Sequence, residues 1–203
     1  ATIKVSRGFR YVRYVGPNNV RCNVAEIRFY GYESEGDDSQ FYTPTNLPAV
    51  IINTEGAKTI DSKETYLPGI ISVISEAGKN FYSDSLEVRG RGNASWNFPK
   101  KPYKLKLANK KRLLDMPAKA RKWTLINNYG DKTLMRNALA FKISEAIGMD
   151  YTPACRLVDV IVNGEYEGTY QLCDQIEIRK NRVGITEMAP VDIAEPNLSG
   201  GYL

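Results

Sequence analysis

The chain contains no histidine, and that absence removes the commonest general base, the commonest metal ligand and the usual titrating switch near neutral pH. Any chemistry must therefore run on carboxylates, lysines, arginines or a bound cofactor. Cysteine is scarce and odd in number: Cys22, Cys155 and Cys173 are too widely spaced for a zinc motif or a disulfide framework and read as buried free thiols. No apolar run approaches the roughly 20 residues of a membrane helix, and the opening ATIKVSRGF lacks the apolar core of a secretory signal. A soluble chain without a membrane span is expected. It opens on Ala1 rather than Met, as removal of an N-terminal segment, a signal included, would leave it. Internal repeats and low-complexity tracts are also lacking.

What remains is an ordinary globular composition, 203 residues of which 42% are hydrophobic and 25% charged, long enough to bury a substantial core. Its charge is unevenly distributed. Between Arg89 and Lys122 twelve Lys and Arg accompany one acid, Asp115, a local balance of +11 inside a chain whose net charge is +5. Such focusing suits phosphate groups on nucleotides, nucleic acids or lipids, and it also suits a solvated basic face.

Two β-rich runs in residues 9 to 31, FRYVRYVGPNNVRCNVAEIRFYG, surround the turn cluster Gly16-Pro17-Asn18-Asn19 and predict a hairpin. The hairpin resembles the last strands of a discoidin-like (galactose-binding-like) sandwich, of which residues 1–33 would be a remnant. The acidic, turn-rich stretch 34–46 reads as a linker, and a new domain opens near Leu47. Strands are predicted at Ala49–Asn53, Gly69–Ser75, Leu86–Arg89, Tyr103–Leu107 and Trp123–Ile126, the fourth alternating Tyr103, Leu105 and Leu107 with Lys104 and Lys106. GDKTLMRNALAFKISEAIGM predicts the principal helix, with Asp131 as N-cap, an apolar face including Met135, Leu139 and Ile147, and Gly148 just past the end. Arg156–Val162 and Tyr166–Leu172 flank Asn163-Gly164, a strong signal for a two-residue hairpin turn.

RGRGNASW (89–96), PKKPYKLKL (99–107), KWTLINNYGDKTLMRN (122–137), YTPACRLVDVIVNGEYEGTYQLCDQIEI (151–178) and SGGYL (199–203) follow one another. Together they resemble the CotH family of spore-coat-protein-H-like atypical protein kinases, from about Leu47 to the last residue. The resemblance implies a secreted or surface bacterial protein that uses ATP with Mg or Mn to phosphorylate Ser or Thr of a protein substrate, and hence an extracytoplasmic location. It also implies an α+β fold, a β-rich kinase-like lobe of antiparallel sheet plus one principal helix spanning 47–203. The order strand, glycine turn, lysine-bearing strand, strand, helix and hairpin parallels a kinase small lobe up to its hinge.

Phosphoryl transfer is mostly positioning and charge neutralisation, so a nucleotide site wants free backbone N–H groups and cations on a rigid strand. Gly90 and Gly92 are candidates for the first, Arg91, Lys104 and Lys106 for the second. The family pattern favours Lys106 of the two strand lysines, and Lys122 on the next strand competes with it. Neither G-x-G-x-x-G nor G-x-x-x-x-G-K-[ST] is matched here, so the glycine turn alone is a weak signal. Asp131 and Arg136 match the family's D-x-x-L-x-R-N pattern: the carboxylate either caps the helix or pairs with a site lysine, and Arg136 fixes that carboxylate or a phosphate. Glu145, in the last helical turn, is the one Glu available to a kinase-style Lys–Glu pair. Asp174-Gln175-Ile176 stands at the hinge-like adenine contact, where the family more often has Glu. Catalytic and metal-binding carboxylates are expected beyond residue 203, so no metal ligand is assigned and the fragment alone is expected not to transfer phosphate.

Two other readings compete. A surface module for adhesion or glycan binding draws on 13 Tyr and 2 Trp whose rings can stack on sugars, the discoidin-like part being the natural glycan contact. Nucleic-acid binding, with Trp96, Phe98 and Tyr103 among lysines, ranks behind both.

Overall fold

The computed structural model describes residues 45–75, 81–185 and 187–195. The predicted discoidin-like hairpin, almost all of the predicted linker, Cys22 and the SGGYL segment lie outside them. Seven strands follow in chain order: β1 (Ala49–Thr54), β2 (Leu67–Ile74), β3 (Phe81–Gly90), β4 (Tyr103–Lys111), β5 (Ala120–Ile126), β6 (Cys155–Val162) and β7 (Glu165–Asp174). One helix, α1 (Arg136–Ala146), lies between β5 and β6. The strands close into a barrel in the order β1-β2-β3-β4-β5-β7-β6. Every neighbouring pair is antiparallel except β1 and β6, which run parallel with Val50 opposite Val160.

This closure corrects the expected fold class, an α+β kinase-like lobe. The fold is a closed, mixed β-barrel with one helix. The deciding element is β1: it bonds to β2 along one edge and to β6 along the other, leaving no open edge for a sheet to present. Its sequence AVIINT is buried at five of six positions, the continuous apolar run expected of a strand covered on both faces.

Alternation along the strands fills the interior. Val50, Ile71, Val88, Leu105, Trp123, Leu125, Val158, Val160, Tyr170 and Leu172 belong to one cluster, all of them without solvent exposure. Each large apolar side chain so buried stabilises the fold by about 1.5–3 kcal/mol. Because successive residues face opposite ways, Arg89, Lys104, Lys106, Thr124, Cys173 and Cys155 are on the outward-facing side of their strands, where Thr124 and Cys173 are nonetheless buried. Asn163 (φ 50) and Gly164 (φ 87) form the predicted two-residue turn between β6 and β7, both central residues at the positive φ that such a hairpin requires.

The helix departs from its prediction at both its start and its packing. Leu134 sits at φ 58, a left-handed conformation that cannot continue a helix, so α1 begins at Arg136 rather than after Asp131. None of its side chains is buried, and Met135, Leu139, Ile143 and Ile147 are all more than half exposed. The barrel fills its own interior and needs no helix to complete it. What ties α1 to the barrel is polar: Asn137 Nδ2 donates to Asn128 Oδ1 (2.7 Å), and Asn128 Nδ2 donates to Gln171 Oε1 on β7 (3.1 Å). Among the described residues no helix is long and apolar enough to cross a membrane.

The helix ends as predicted. Gly148 lies at φ +73, its N–H donates to Glu145 O (3.1 Å) and the Met149 N–H donates to Ser144 O (3.2 Å), the paired bonds of a Schellman cap. Nothing lies within 4 Å of where a Cβ would stand, so Gly148→Ala meets backbone strain without a clash. A loss of about 1 kcal/mol is expected. Urea unfolding of the two proteins checks it, and an unchanged midpoint would mean that the cap carries no strain.

Candidate functional site

The glycine-rich turn after β3 is built around an indole. A side chain at Gly90 would collide with the Trp96 ring, and one at Gly92, which sits at φ +90, would collide with Ser95 Oγ. The short 3-10 turn Ala94–Asn97 carries Trp96 back over Gly90. Lys101 fastens it there, Nζ donating to Trp96 O (2.8 Å) and lying 5.2 Å from the ring centroid. The expectation that the Gly90 N–H is free for an anion does not hold: it donates to Ser62 O (2.8 Å), and the Arg91 N–H donates to Pro102 O (3.1 Å). The turn gives shape; the side chains around it give the charge.

That charge lines a cleft of about 290 Å³ on the outer face, walled by Lys63, Glu64, Arg89, Arg91, Gly92, Asn93, Lys104 and Gln175. Strand register sets two of the cations side by side, Arg89 on β3 opposite Lys104 on β4. Arg89 donates to Lys63 O and Gly90 O with its guanidinium 5.0 Å from the Tyr66 ring, and Lys63 Nζ donates to Gly92 O (3.2 Å). Neither Arg91 nor Lys104 is ion-paired with a carboxylate among the described residues. Burial pulls the Arg91 guanidinium below its ordinary pKa, opposed only by the nearby Cys173. A half-buried guanidinium without a carboxylate is costly unless an anion completes it.

A second, apolar cleft of about 110 Å³ adjoins the first, lined by Thr124, Ile126, Phe141, Pro153, Cys173, Asp174 and Ile176, and sharing Arg91 and Gln175 with it. Phe141 is the helix's contribution. Arg91 therefore stands where a charged cleft meets an apolar one.

The remaining predicted site residues lie elsewhere. Lys106 pairs with Glu87 (2.5 Å) and Lys122 with Glu177 (3.5 Å); they face each other two residues along the ladder from Lys104 and line neither cleft. Asp131 stays at the helix start, where Oδ2 accepts the Arg136 N–H (2.8 Å) and Oδ1 lies 3.6 Å from Arg136 Nε. The Arg136 backbone N–H, chiefly, holds the Asp131 carboxyl below its ordinary pKa. Glu145 pairs with Lys142 (2.9 Å), both exposed.

Asp174 lines the apolar cleft, but its carboxylate is engaged. Arg182, its guanidinium wholly buried, contacts Asp174 Oδ1 through Nη2 (3.1 Å) and Nε (3.2 Å), pairs with Glu177 (2.8 Å) and donates to Lys122 O (2.8 Å). Burial raises the Asp174 carboxyl above its ordinary pKa although Arg182 opposes the shift. Sequence reasoning missed Arg182 and Lys63 as participants, since neither has a local pattern to betray it; Gln175, in the stretch read as a hinge-like contact, lines both clefts. Among the described residues no group of three or more Cys, Asp or Glu side chains is arranged to hold a metal ion.

Residues 88–192 match the family described as CotH kinase protein. No curated protein matches the chain with significant similarity.

Proposed function

Since this chain belongs to the CotH kinase protein family, we propose that its paired clefts bind ATP as part of an atypical protein kinase acting on protein Ser or Thr. The carrying observation is Arg91, half-buried, unpaired with any described carboxylate, and shared by the basic and the apolar cleft. On this reading Arg91, Arg89, Lys104 and Lys63 bind the phosphates, while Ile126, Phe141, Pro153 and Ile176 take the flat base. The donor set fits phosphate: Arg offers a planar fork and Lys a point charge, both in a site shielded enough to strengthen them. ATP when bound supplies the γ-phosphoryl group. The chain's own residues orient the phosphates and keep water off the base. Glu64 is the one carboxylate of the basic cleft, too few to hold Mg or Mn, so no step through a metal is derived. An extracytoplasmic location and a protein acceptor belong to the same proposal, resting on family membership.

The clefts favour Lys104 over Lys106. Charge-assisted hydrogen bonds contribute about 1.5–3 kcal/mol each, so Arg91→Ala and Lys104→Ala are each expected to weaken ATP binding about tenfold or more. Lys106→Ala, outside the cleft and paired with Glu87, should change affinity by less than about threefold. Calorimetric titration, with circular dichroism to confirm folding, decides it. Lost binding in Lys106→Ala but not in Lys104→Ala would reverse the assignment, and no binding by the folded parent would sink it.

A further inference from the structure

Two of the three cysteines, whose spacing argued against a disulfide framework, meet across β6 and β7. Cys155 and Cys173 are register partners. The adjacent pair, Ala154 and Asp174, is joined by the Asp174 N–H donating to Ala154 O (3.0 Å). In an antiparallel ladder hydrogen-bonded and non-hydrogen-bonded pairs alternate, so the two cysteines occupy a non-hydrogen-bonded pair, where Cα atoms approach to roughly 4.5 Å. That lies inside the roughly 4.4–6.8 Å a disulfide spans. Both are free thiols, Cys155 partly exposed and Cys173 buried.

The surroundings favour reaction at Cys155. The neighbouring Cys173 thiol, chiefly, with the Gln171 amide, Lys142 and Arg156, favours the Cys155 thiolate and lowers its pKa against the effect of burial; Cys173 is raised by its neighbour Cys155 and by its own burial. Gln171 is itself wholly buried on the same outer face, and its Nε2 has no hydrogen-bond partner among the described residues. A thiolate beside it would relieve that unsatisfied donor. Cys155 is thus the accessible thiol with support for its charged form, and Cys173 is the shielded resolving thiol.

We propose that Cys155 and Cys173 are a redox pair that closes into a cross-strand disulfide by exchange with a low-molecular-weight disulfide. The Cys155 thiolate attacks one sulfur of that disulfide, and its other half leaves as a thiolate. Cys173 then attacks Cys155 sulfur, expelling the second half, which takes up the Cys173 proton. The two protein thiols lose two electrons and the small disulfide gains them. Cys173 lines the apolar cleft, so the oxidation state of the pair is written into its wall.

The test uses the full chain carrying Cys22→Ser, folded by circular dichroism, with excess oxidised glutathione as oxidant. After denaturation, alkylation and mass spectrometry, a mass lower by two hydrogens is expected, with no alkylation, no glutathione adduct and a cross-linked peptide containing Cys155 and Cys173. Reductant should restore both thiols. In Cys173→Ser on the same background the reaction should stop at a glutathione adduct on Cys155. Two alkylated thiols, a stable adduct while Cys173 is present, or cross-linking only in denaturant would each overturn the proposal.

Discussion

Arg182→Ala is expected to lower the unfolding free energy by about 3–5 kcal/mol, because removing one partner of a buried pair leaves the other charge without compensation. The guanidinium is fully enclosed, bonds to Asp174, Glu177 and Lys122 O, and lies 5.2 Å from the Trp123 ring. It fastens the segment after β7 to the barrel end. Against a typical total of about 5–15 kcal/mol, the loss is large enough to read in any denaturation experiment. The same physics predicts a rescue: Arg182→Met with Asp174→Leu removes both charges and should recover much of the stability, since apolar replacement of a whole buried pair is often neutral or better. A double variant as unstable as the single one would mean that packing rather than charge is lost.

The pH dependence has a defined sign. Asp174 already titrates above its ordinary value because burial outweighs Arg182, and removing Arg182 takes away the chief opposing influence. A carboxyl raised in the folded state contributes stability that is full below its unfolded pKa and is lost as pH rises through the folded pKa. The Arg182→Ala deficit should therefore be smaller at about pH 5 than at about pH 8. Urea unfolding at both values tests it. A deficit that grew on acidification would show that Asp174 is not the stranded group.

Trp123→Ala should cost a similar amount, about 3–5 kcal/mol, as transfer and cavity terms combine at a site with little room to collapse. Trp123 has no solvent exposure, stands opposite Leu105 on β4 and Asp174 on β7, and donates Nε1–H to Ala120 O (3.2 Å). It shares the Arg182 guanidinium, so the two substitutions should not add: residues in contact usually couple by about 0.5–3 kcal/mol. Unfolding of the two single variants and the double measures the coupling. Strict additivity would deny that the ring and the guanidinium act together.

Much of the local structure was legible. Each of the seven strands observed overlaps a stretch whose alternation or β-branched content predicted one, and Asn163-Gly164 forms its hairpin turn because only a few residues accept positive φ at both positions. Gly148 was legible for the same reason. Barrel closure was not. The pairing of β1 with β6 joins Val50 to Val160 across more than half of the described chain, and no local pattern encodes which edges meet. The helix start was misread because a Leu at φ 58 leaves no trace in an otherwise good helical sequence.

The site divides along the same line. That cations would cluster after β3, and that glycines would be needed in RGRGNASW, was set by composition and order along the chain. Which of those cations remain without a carboxylate partner was decided in three dimensions. Glu87 lies on the neighbouring strand to occupy Lys106, Glu177 reaches Lys122, and neither reaches Lys104 or Arg91. The cysteines show the division most plainly: their spacing along the chain argued against a disulfide, yet the register of the β6–β7 hairpin sets Cys155 directly opposite Cys173. Periodicity, turn chemistry and charge are properties of neighbours in sequence, and the chain carries them by itself. Pairing, burial and the fate of each charge depend on residues far apart in sequence, and only the closed barrel brings them together.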